Sequence, residues 1–396
     1  MKEKKLLIQF GAGNIGRSFL GQIFARNGWE VVFVDVDELL LKELNQEGRY
    51  TVVVKDPDGS EERLTVSGVR GVDARDRDAV ARELAETAYV ATSVGSGAIR
   101  HVIPHLAAES SRRHREEPER RPFDLILAEN IHNGAALVEE LLLDALPPDT
   151  DRSALPGIIE CSVGKMVPLV PEELKKAEPT TVFAERYNRL ILDQLAWKNP
   201  IPPIPELAPV ENIAAYVDRK LFIHNLGHAA TAYLGFARNP EATYLWELLE
   251  DPEVTSGARA AMECSAEALL AAYPESFTRK QLTEHIEDLL YRFRNRALGD
   301  TVHRVGRDLK RKLAGEDRIV GAIRLAERQG VDPGPIVAVY RSALAFKAPD
   351  EKGALFPGDE EFHRELQSRG VDYALQEVSG LKPGERLFET VKARLL

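Results

Sequence analysis

The chain has 396 residues, 44% of them hydrophobic and 29% charged, an ordinary balance for two or three domains with sizeable cores. Its 52 Lys and Arg against 63 Asp and Glu give a formal charge of −11, which argues against a general nucleic-acid binder, because that needs a basic surface. With only Cys161 and Cys264 there is no disulfide framework, and no apolar run approaches the roughly 18 residues that span a bilayer. The expectation is therefore a cytoplasmic protein in a reducing compartment, with neither nucleic acid nor membrane as partner.

Leu6-Leu7-Ile8-Gln9-Phe10 is a short apolar run ended by Gly11-Ala12-Gly13-Asn14-Ile15-Gly16. A helical pattern follows through Phe19, Leu20, Ile23 and Phe24, and then a second strand, Val31–Val34, ends at Asp35. Strand, glycine turn, helix, strand and acid within about 30 residues form the dinucleotide fingerprint. Gly11 allows the tight turn, Gly13 lets a pyrophosphate approach the backbone, and Gly16 lets helix and strand pack closely. Asn14 and Ile15 open the helix, whose N-terminus supplies N–H groups and a positive dipole end. Asp35 is placed to accept from the adenosine ribose hydroxyls and to repel a 2′-phosphate. No Arg stands in the following Val36-Asp37-Glu38, so NAD is favoured over NADP.

Residues 50–55 and 62–70 read as an antiparallel pair around Asp56-Pro57-Asp58-Gly59. Tyr89–Gly95 is a strand running into a loop, with Ser93 and Val94 as further cofactor contacts. The Arg- and Glu-rich stretch 110–121 reads as a solvated loop or helix end. Leu125–Ala128 is a buried strand with Glu129-Asn130 at its carboxyl end, the edge where open parallel sheets bind ligands. Residues 158–163 are expected to close the sheet.

Five prolines between 195 and 211 mark a connection between domains, because no helix interior tolerates them well. Beyond it, helical periodicity covers 213–236, 240–249, 253–273, 278–294, 300–313, 317–329, 333–346 and 359–369. The fold class is α/β: a Rossmann-type dinucleotide-binding domain over 1–195, then a mainly α-helical substrate domain over 196–396. A small-molecule site is expected in a cleft between domains.

The segment 214–230 is too apolar for a surface helix, yet it carries Lys220, Asn225 and His228. At about 100° per residue the three fall at about 0°, 140° and 80°, so one side of a helix can present them all. Buried polar groups are costly unless paired, so they form either a satisfied core network or a site. As a site they match one chemistry. A desolvated Lys gives up its proton readily, an Asn amide donates to an oxyanion, and a neutral His holds a hydroxyl. Arg219 cannot replace Lys220, because a guanidinium does not deprotonate in proteins. His224 and His228 sit four apart as zinc ligands do, but no third ligand accompanies them, so no metal is expected. The two cysteines read as small buried hydrophobes.

Taken together, Gly11–Gly16 with Asp35, Glu129-Asn130, Lys220-x₄-Asn225-x₂-His228 and Arg304-Val305-Gly306-Arg307-Asp308 resemble the polyol-specific long-chain dehydrogenases over almost the whole chain. The resemblance implies hydride transfer between NAD and a sugar alcohol, or its phosphate; the assembly expected is a monomer or homodimer. It implies Lys220 as general acid/base, Asn225 and Asn130 steadying the reacting oxygen, and His228 positioning substrate. The short length favours the phosphate-using branch over enzymes of free polyols or hexuronates. One departure is plain: Val163-Gly164-Lys165 stands where the family commonly has Val-Asp-Arg. A substrate phosphate needs cations, and Arg304, Arg307 and Arg311 recur at helical spacing as one stripe that can supply them. The alternative for each is a solvated basic face. A non-catalytic NAD-binding protein is the more distant alternative reading.

Overall fold

Apolar on nearly every position, Leu6–Phe10 forms the first strand, β1, and all five of its residues are buried. In the computed structural model, which describes residues 4–395 apart from His132, Asp149 and Leu169, the strands that follow are β2 (Glu30–Asp35), β3 (Arg49–Lys55), β4 (Glu61–Ser67) and β5 (Val69–Asp73). Next come β6 (Tyr89–Thr92), β7 (Asp124–Leu127) and β8 (Gly157–Ser162), then β9 (Val182–Ala184), β10 (Leu190–Asp193) and β11 (Leu207–Val210).

Eight of these make one sheet in the order β11-β10-β8-β7-β6-β1-β2-β5, and β4-β3-β9 make a second. From β8 across to β5 every pairing is parallel. The alternation of a strand sorts the core into two layers. Leu7, Val31 and Phe33 pack with Phe19, Leu20 and Phe24 on one face. Leu6, Ile8 and Phe10 pack with Val80, Leu84 and Leu106 on the other. Strand order reverses at β1, whose neighbours are β2 and β6, so a crevice opens at the carboxyl ends of these strands.

The structure corrects four expectations in this unit. The run 62–70 is two strands, not one: the chain turns at Gly68 (φ +79°), β4 pairs antiparallel with β3, and β5 joins β2 in parallel. The sheet does not close at 163, because β10 pairs antiparallel with β8 and β11 parallel with β10. The proline-rich stretch therefore contains a strand, and Pro209 is accommodated because β11 is an edge. The chain divides between Ile213 and Ala214, later than the 195/196 boundary.

The fourth correction concerns 110–121. Its first half continues the helix Ile99–Glu116, and Glu109, Ser110, Ser111 and Arg113 are buried. Arg113 pairs with Glu109 at 2.5 Å and donates to the carbonyls of Leu84 (2.6 Å) and Thr87 (2.5 Å). Its charge ties helix to helix rather than meeting water.

The second unit is helical throughout. One helix runs Ile213–Arg219, passes through a wider turn at Lys220–Asn225, and continues Leu226–Arg238. Its small residues let the long helix Pro252–Ala272 approach closely: a Cβ on Gly227 would lie 2.5 Å from the Met262 sulfur. Arg279–Arg292 opens with a capping box between Thr278 and Gln281. Val320–Arg328, Gly334–Leu344 and Pro357–Arg369 follow near the expected places, and two helical pieces at 371–378 and 386–395 were not expected. No helix is long and apolar enough to cross a membrane, among the described residues.

Arg113→Ala tests the buried reading of 110–121. Removing one partner of a fully buried pair costs about 3 to 5 kcal/mol, so the denaturant midpoint should fall steeply. A loss under about 0.5 kcal/mol is what a solvated surface residue would give.

Candidate active site

The glycine loop is shaped by what lies behind it. Gly11 has φ +91°, and a Cβ there would come within 2.6 Å of the Ser93 carbonyl oxygen. A Cβ on Gly16 would overlap the Gly11 carbonyl, so both positions require glycine for space. Gly13 differs: nothing lies within 4 Å of its Cβ position, and it borders a cavity of about 710 Å³. That free volume is the room a pyrophosphate needs beside backbone. Gly11, Gly13, Asp35, Ser93 and Val94 all line this cavity. Asn14 and Ile15 begin the helix that leaves it, and Gly16 opens its first wide turn.

Arg17, next in the chain, is buried and fixes the loop from below. Its Nε donates to the Ala12 carbonyl (2.6 Å) and its Nη1 to the carbonyls of Thr180 (2.8 Å) and Pro179 (3.2 Å). Burial pulls its pKa down to about 10, with Tyr50, Asp35 and Asp37 opposing. Lys165, at the departure from the family pattern, is likewise buried, with Nζ donating to Tyr187 O, Glu185 O and Asn188 Oδ1. It anchors a loop.

Asp35 accepts from the backbone N–H of Ala12 (2.6 Å), Val36 (2.7 Å) and Asp37 (3.1 Å). No Arg stands in Val36-Asp37-Glu38, but one reaches the same cavity from another part of the chain. Arg75, just past the end of β5, lines the same cavity with Arg77 and donates from Nη2 to the Val36 carbonyl at 2.9 Å. Glu129 is buried at the end of β7, where it accepts from the N–H groups of Val94 (2.8 Å) and Gly95 (2.9 Å). Burial raises its pKa, opposed by those two donors. It holds the loop that carries Ser93 and Val94, a role the sequence did not suggest. Asn130 follows it and is exposed.

In the helical unit Lys220, Asn225 and His228 stand on one helix, as expected, but not at plain α-helical angles. The wide turn Lys220–Asn225 closes with the Leu226 N–H donating to the Leu221 carbonyl, five residues back. The wider turn brings residues five apart closer in angle than the roughly 140° of a plain α-helix. Such turns interrupt helices most often at functional positions. Burial, reinforced by the Arg318 guanidinium, lowers the Lys220 pKa to about 8. An ordinary lysine becomes an acid/base near neutrality.

His228 Nε2 lies 2.8 Å from Asp300 Oδ2, and its ring stacks on Phe293 at 5.0 Å. An ionised carboxylate only accepts, so Nε2 carries the hydrogen and Nδ1 remains an acceptor. Burial, with Arg304, Arg318 and Lys312 adding to it, lowers the His228 pKa to about 3. The ring is therefore a neutral acceptor for a hydroxyl. His224 is buried against the same Phe293 (5.7 Å). Among the described residues, no group of three or more His, Cys, Asp or Glu is arranged to hold a metal ion.

The arginine stripe is not one stripe. The helix Val302–Gly306 ends, Asp308 adopts φ 71°, and a new turn runs Leu309–Lys312. Asp359 stabilises the break by accepting from Asp308 N (3.0 Å) and Leu309 N (2.7 Å). The three side chains consequently meet different partners. Arg304 pairs with Asp300, the carboxylate that holds His228. Arg311 pairs with Asp308 (2.5 Å) and Asp317 (3.5 Å), while Arg307 lies over the Phe356 ring at 5.7 Å. The cation that sequence reasoning missed is Arg318. Its Nε is held by Asp317 (2.7 Å), and no acceptor meets its Nη groups among the described residues. Its field reaches both Lys220 and His228.

Residues 5–206 match the family model described as the mannitol dehydrogenase Rossmann domain, and 212–395 match its C-terminal domain. A mannitol-1-phosphate 5-dehydrogenase of Bacillus licheniformis is 29% identical over 98% of this chain and 99% of its own. Another, of Brevibacillus brevis, is 30% identical over 98% and 96%. Among solved structures, a substrate-free D-sorbitol dehydrogenase shares the fold at TM-score 0.78 and 16% identity, covering 98% of this chain and 91% of its own. Pseudomonas fluorescens mannitol 2-dehydrogenase, solved with NAD and D-mannitol, does so at 0.71 and 17%, covering 100% and 92%.

Asp300→Ala frees the imidazole to take either tautomer. Turnover should fall by about two to four orders of magnitude, the upper end being the loss when the orienting carboxylate of a catalytic histidine is neutralised. Nitrogen NMR of His228 should show the Nε2–H form lost. A loss under about threefold with the tautomer unchanged would remove Asp300 from this role.

Proposed function

The chain belongs to the mannitol dehydrogenase family, and from that premise we propose that it is an NAD-dependent oxidoreductase interconverting mannitol 1-phosphate and fructose 6-phosphate. The observation that carries the reading is the Lys220 amine, brought to a pKa of about 8 on the same helix as Asn225 and His228. Gly11, Gly13, Asp35, Ser93 and Val94 border the cavity that would hold the dinucleotide, with Asn14, Ile15 and Gly16 at the adjoining helix start. When bound, NAD supplies the hydride acceptor.

Neutral Lys220 takes the proton of the substrate C5 hydroxyl during oxidation, and its ammonium form returns one during reduction. The Asn225 amide donates to that oxygen while charge develops, and Asn130 has the same role in the family resemblance. His228, fixed by Asp300 as a neutral acceptor, receives a neighbouring hydroxyl. Arg304 completes this support through its pair with Asp300, which makes it a positioning residue.

The phosphorylated substrate is supported by charge. Arg318, Lys312 and Arg304 all act electrostatically on His228, and burial, with Arg318 and Arg311 adding to it, lowers the Lys312 pKa to about 7. Cations crowded into poorly solvated space favour an anionic group beside them. Among these, the open Nη groups of Arg318 suit a phosphate fork better than Arg304 or Arg311, whose carboxylate partners occupy them.

NADH consumption with fructose 6-phosphate, set against fructose and fructuronate, tests this directly. Fructose 6-phosphate should be preferred by about ten- to a hundredfold in kcat/KM, the scale of one lost charged interaction. Lys220→Ala should lower kcat by about two to four orders of magnitude while NADH still binds. A preference for the free sugar would overturn the substrate, and full activity of Lys220→Ala would overturn the mechanism.

A further inference from the structure

The adenosine end of the dinucleotide cavity holds more charge than discrimination by Asp35 alone requires. In the parallel register of β2 and β5, Asp35 lies opposite Asp73, and the Ala74 N–H donates to the Asp35 carbonyl at 2.9 Å. This pairing fixes the next residue, Arg75, at the rim beside the ribose-reading carboxylate. Its guanidinium is held on two sides. Nε donates to Asp73 Oδ1 (2.9 Å), and Nη2 donates to the Val36 carbonyl (2.9 Å) and pairs with Glu38 (2.9 Å). Nη1 has no partner among the described residues, and Arg77 lines the same cavity two residues on.

We infer that Arg75 is a latent 2′-phosphate site: the cavity contains the cation that NADP binding needs, and Asp35, Asp73 and Glu38 keep it from that use. The inference rests on the dinucleotide reading above. The balance of charge explains the direction. Asp35 and, close by, Asp37, Glu38 and Asp73 outnumber Arg75, Arg77 and the buried Arg17 that acts on Asp35 and Asp37, so a 2′-phosphate meets net repulsion. Removing the negative charge nearest the ribose leaves a guanidinium with one open edge, already placed by backbone pairing. Guanidinium groups suit phosphate oxygens because their N–H groups form a planar fork. No new residue has to be introduced. One has only to be unmasked.

The test is binding of NADH and NADPH to the full chain, followed by nucleotide fluorescence, in wild type, Asp35→Ser, Asp35→Ser/Arg75→Gln and Glu38→Gln. Asp35→Ser should bind NADPH at least about tenfold more tightly than wild type, and the double variant should lose most of that gain. Glu38 sits exposed in the first turn of its helix, so Glu38→Gln leaves the bonds of Asp35 untouched. It should tighten NADPH by about two- to fivefold, the scale of an exposed pair. A gain that survives Arg75→Gln, or no gain in either single variant while NADH still binds, overturns the inference. Wild type that binds no NADH overturns the dinucleotide reading itself, which is a separate result.

Discussion

An ammonium group stripped of water must either find a partner charge or lose its proton more easily. At Lys220 burial makes the ammonium form costly, and the Arg318 guanidinium adds to that cost. Much of the helical unit follows from that arrangement. The helix that bears the lysine is small-residued and deeply packed, with Gly227 pressed on Met262 and Gly235 on Leu248. Close packing excludes solvent from the segment that contains the wide turn Lys220–Asn225. Packing and acid strength are thus one property of the same segment.

The charges around this amine are graded by how firmly each is held. Asp300 is buried and takes His228 on one oxygen and Arg304 on the other, so it orients a neutral ring while its own charge is met. Asp317 takes the backbone N–H of Arg318 and, of its guanidinium, Nε alone. The dinucleotide-binding unit shows the same habit at Asp35, whose oxygens are filled by three backbone N–H groups, and at Glu129, filled by two. Carboxylates there act as loop splints as well as recognition groups.

Features written in local spacing were legible before any coordinates. The glycine turn, the strands on either side of it, and the shared helix of Lys220, Asn225 and His228 all depend on residues within a few turns of one another. What stayed hidden depended on distant partners. Arg113 looks solvated in a run of charges until Glu109, Leu84 and Thr87 are seen to surround it. Pro209 reads as a breaker until its strand proves to be an edge. The regular spacing of Arg304, Arg307 and Arg311 concealed a left-handed Asp308 that Asp359 holds in place. Arg75 escaped notice because it borders the cavity beside Asp35 from just past a neighbouring strand, which no window around Asp35 contains.

The acid strength of Lys220 is most directly read from the pH dependence of kcat/KM, which reports the free enzyme. Oxidation needs the neutral amine, so its rate should rise through about pH 8 and level off above it. Reduction needs the ammonium form and should fall through the same pH. Arg318→Gln removes a neighbouring positive charge and should carry both inflections upward, toward the ordinary lysine value of 10.5. Profiles with no inflection near 8, or one that Arg318→Gln leaves in place, would contradict the account.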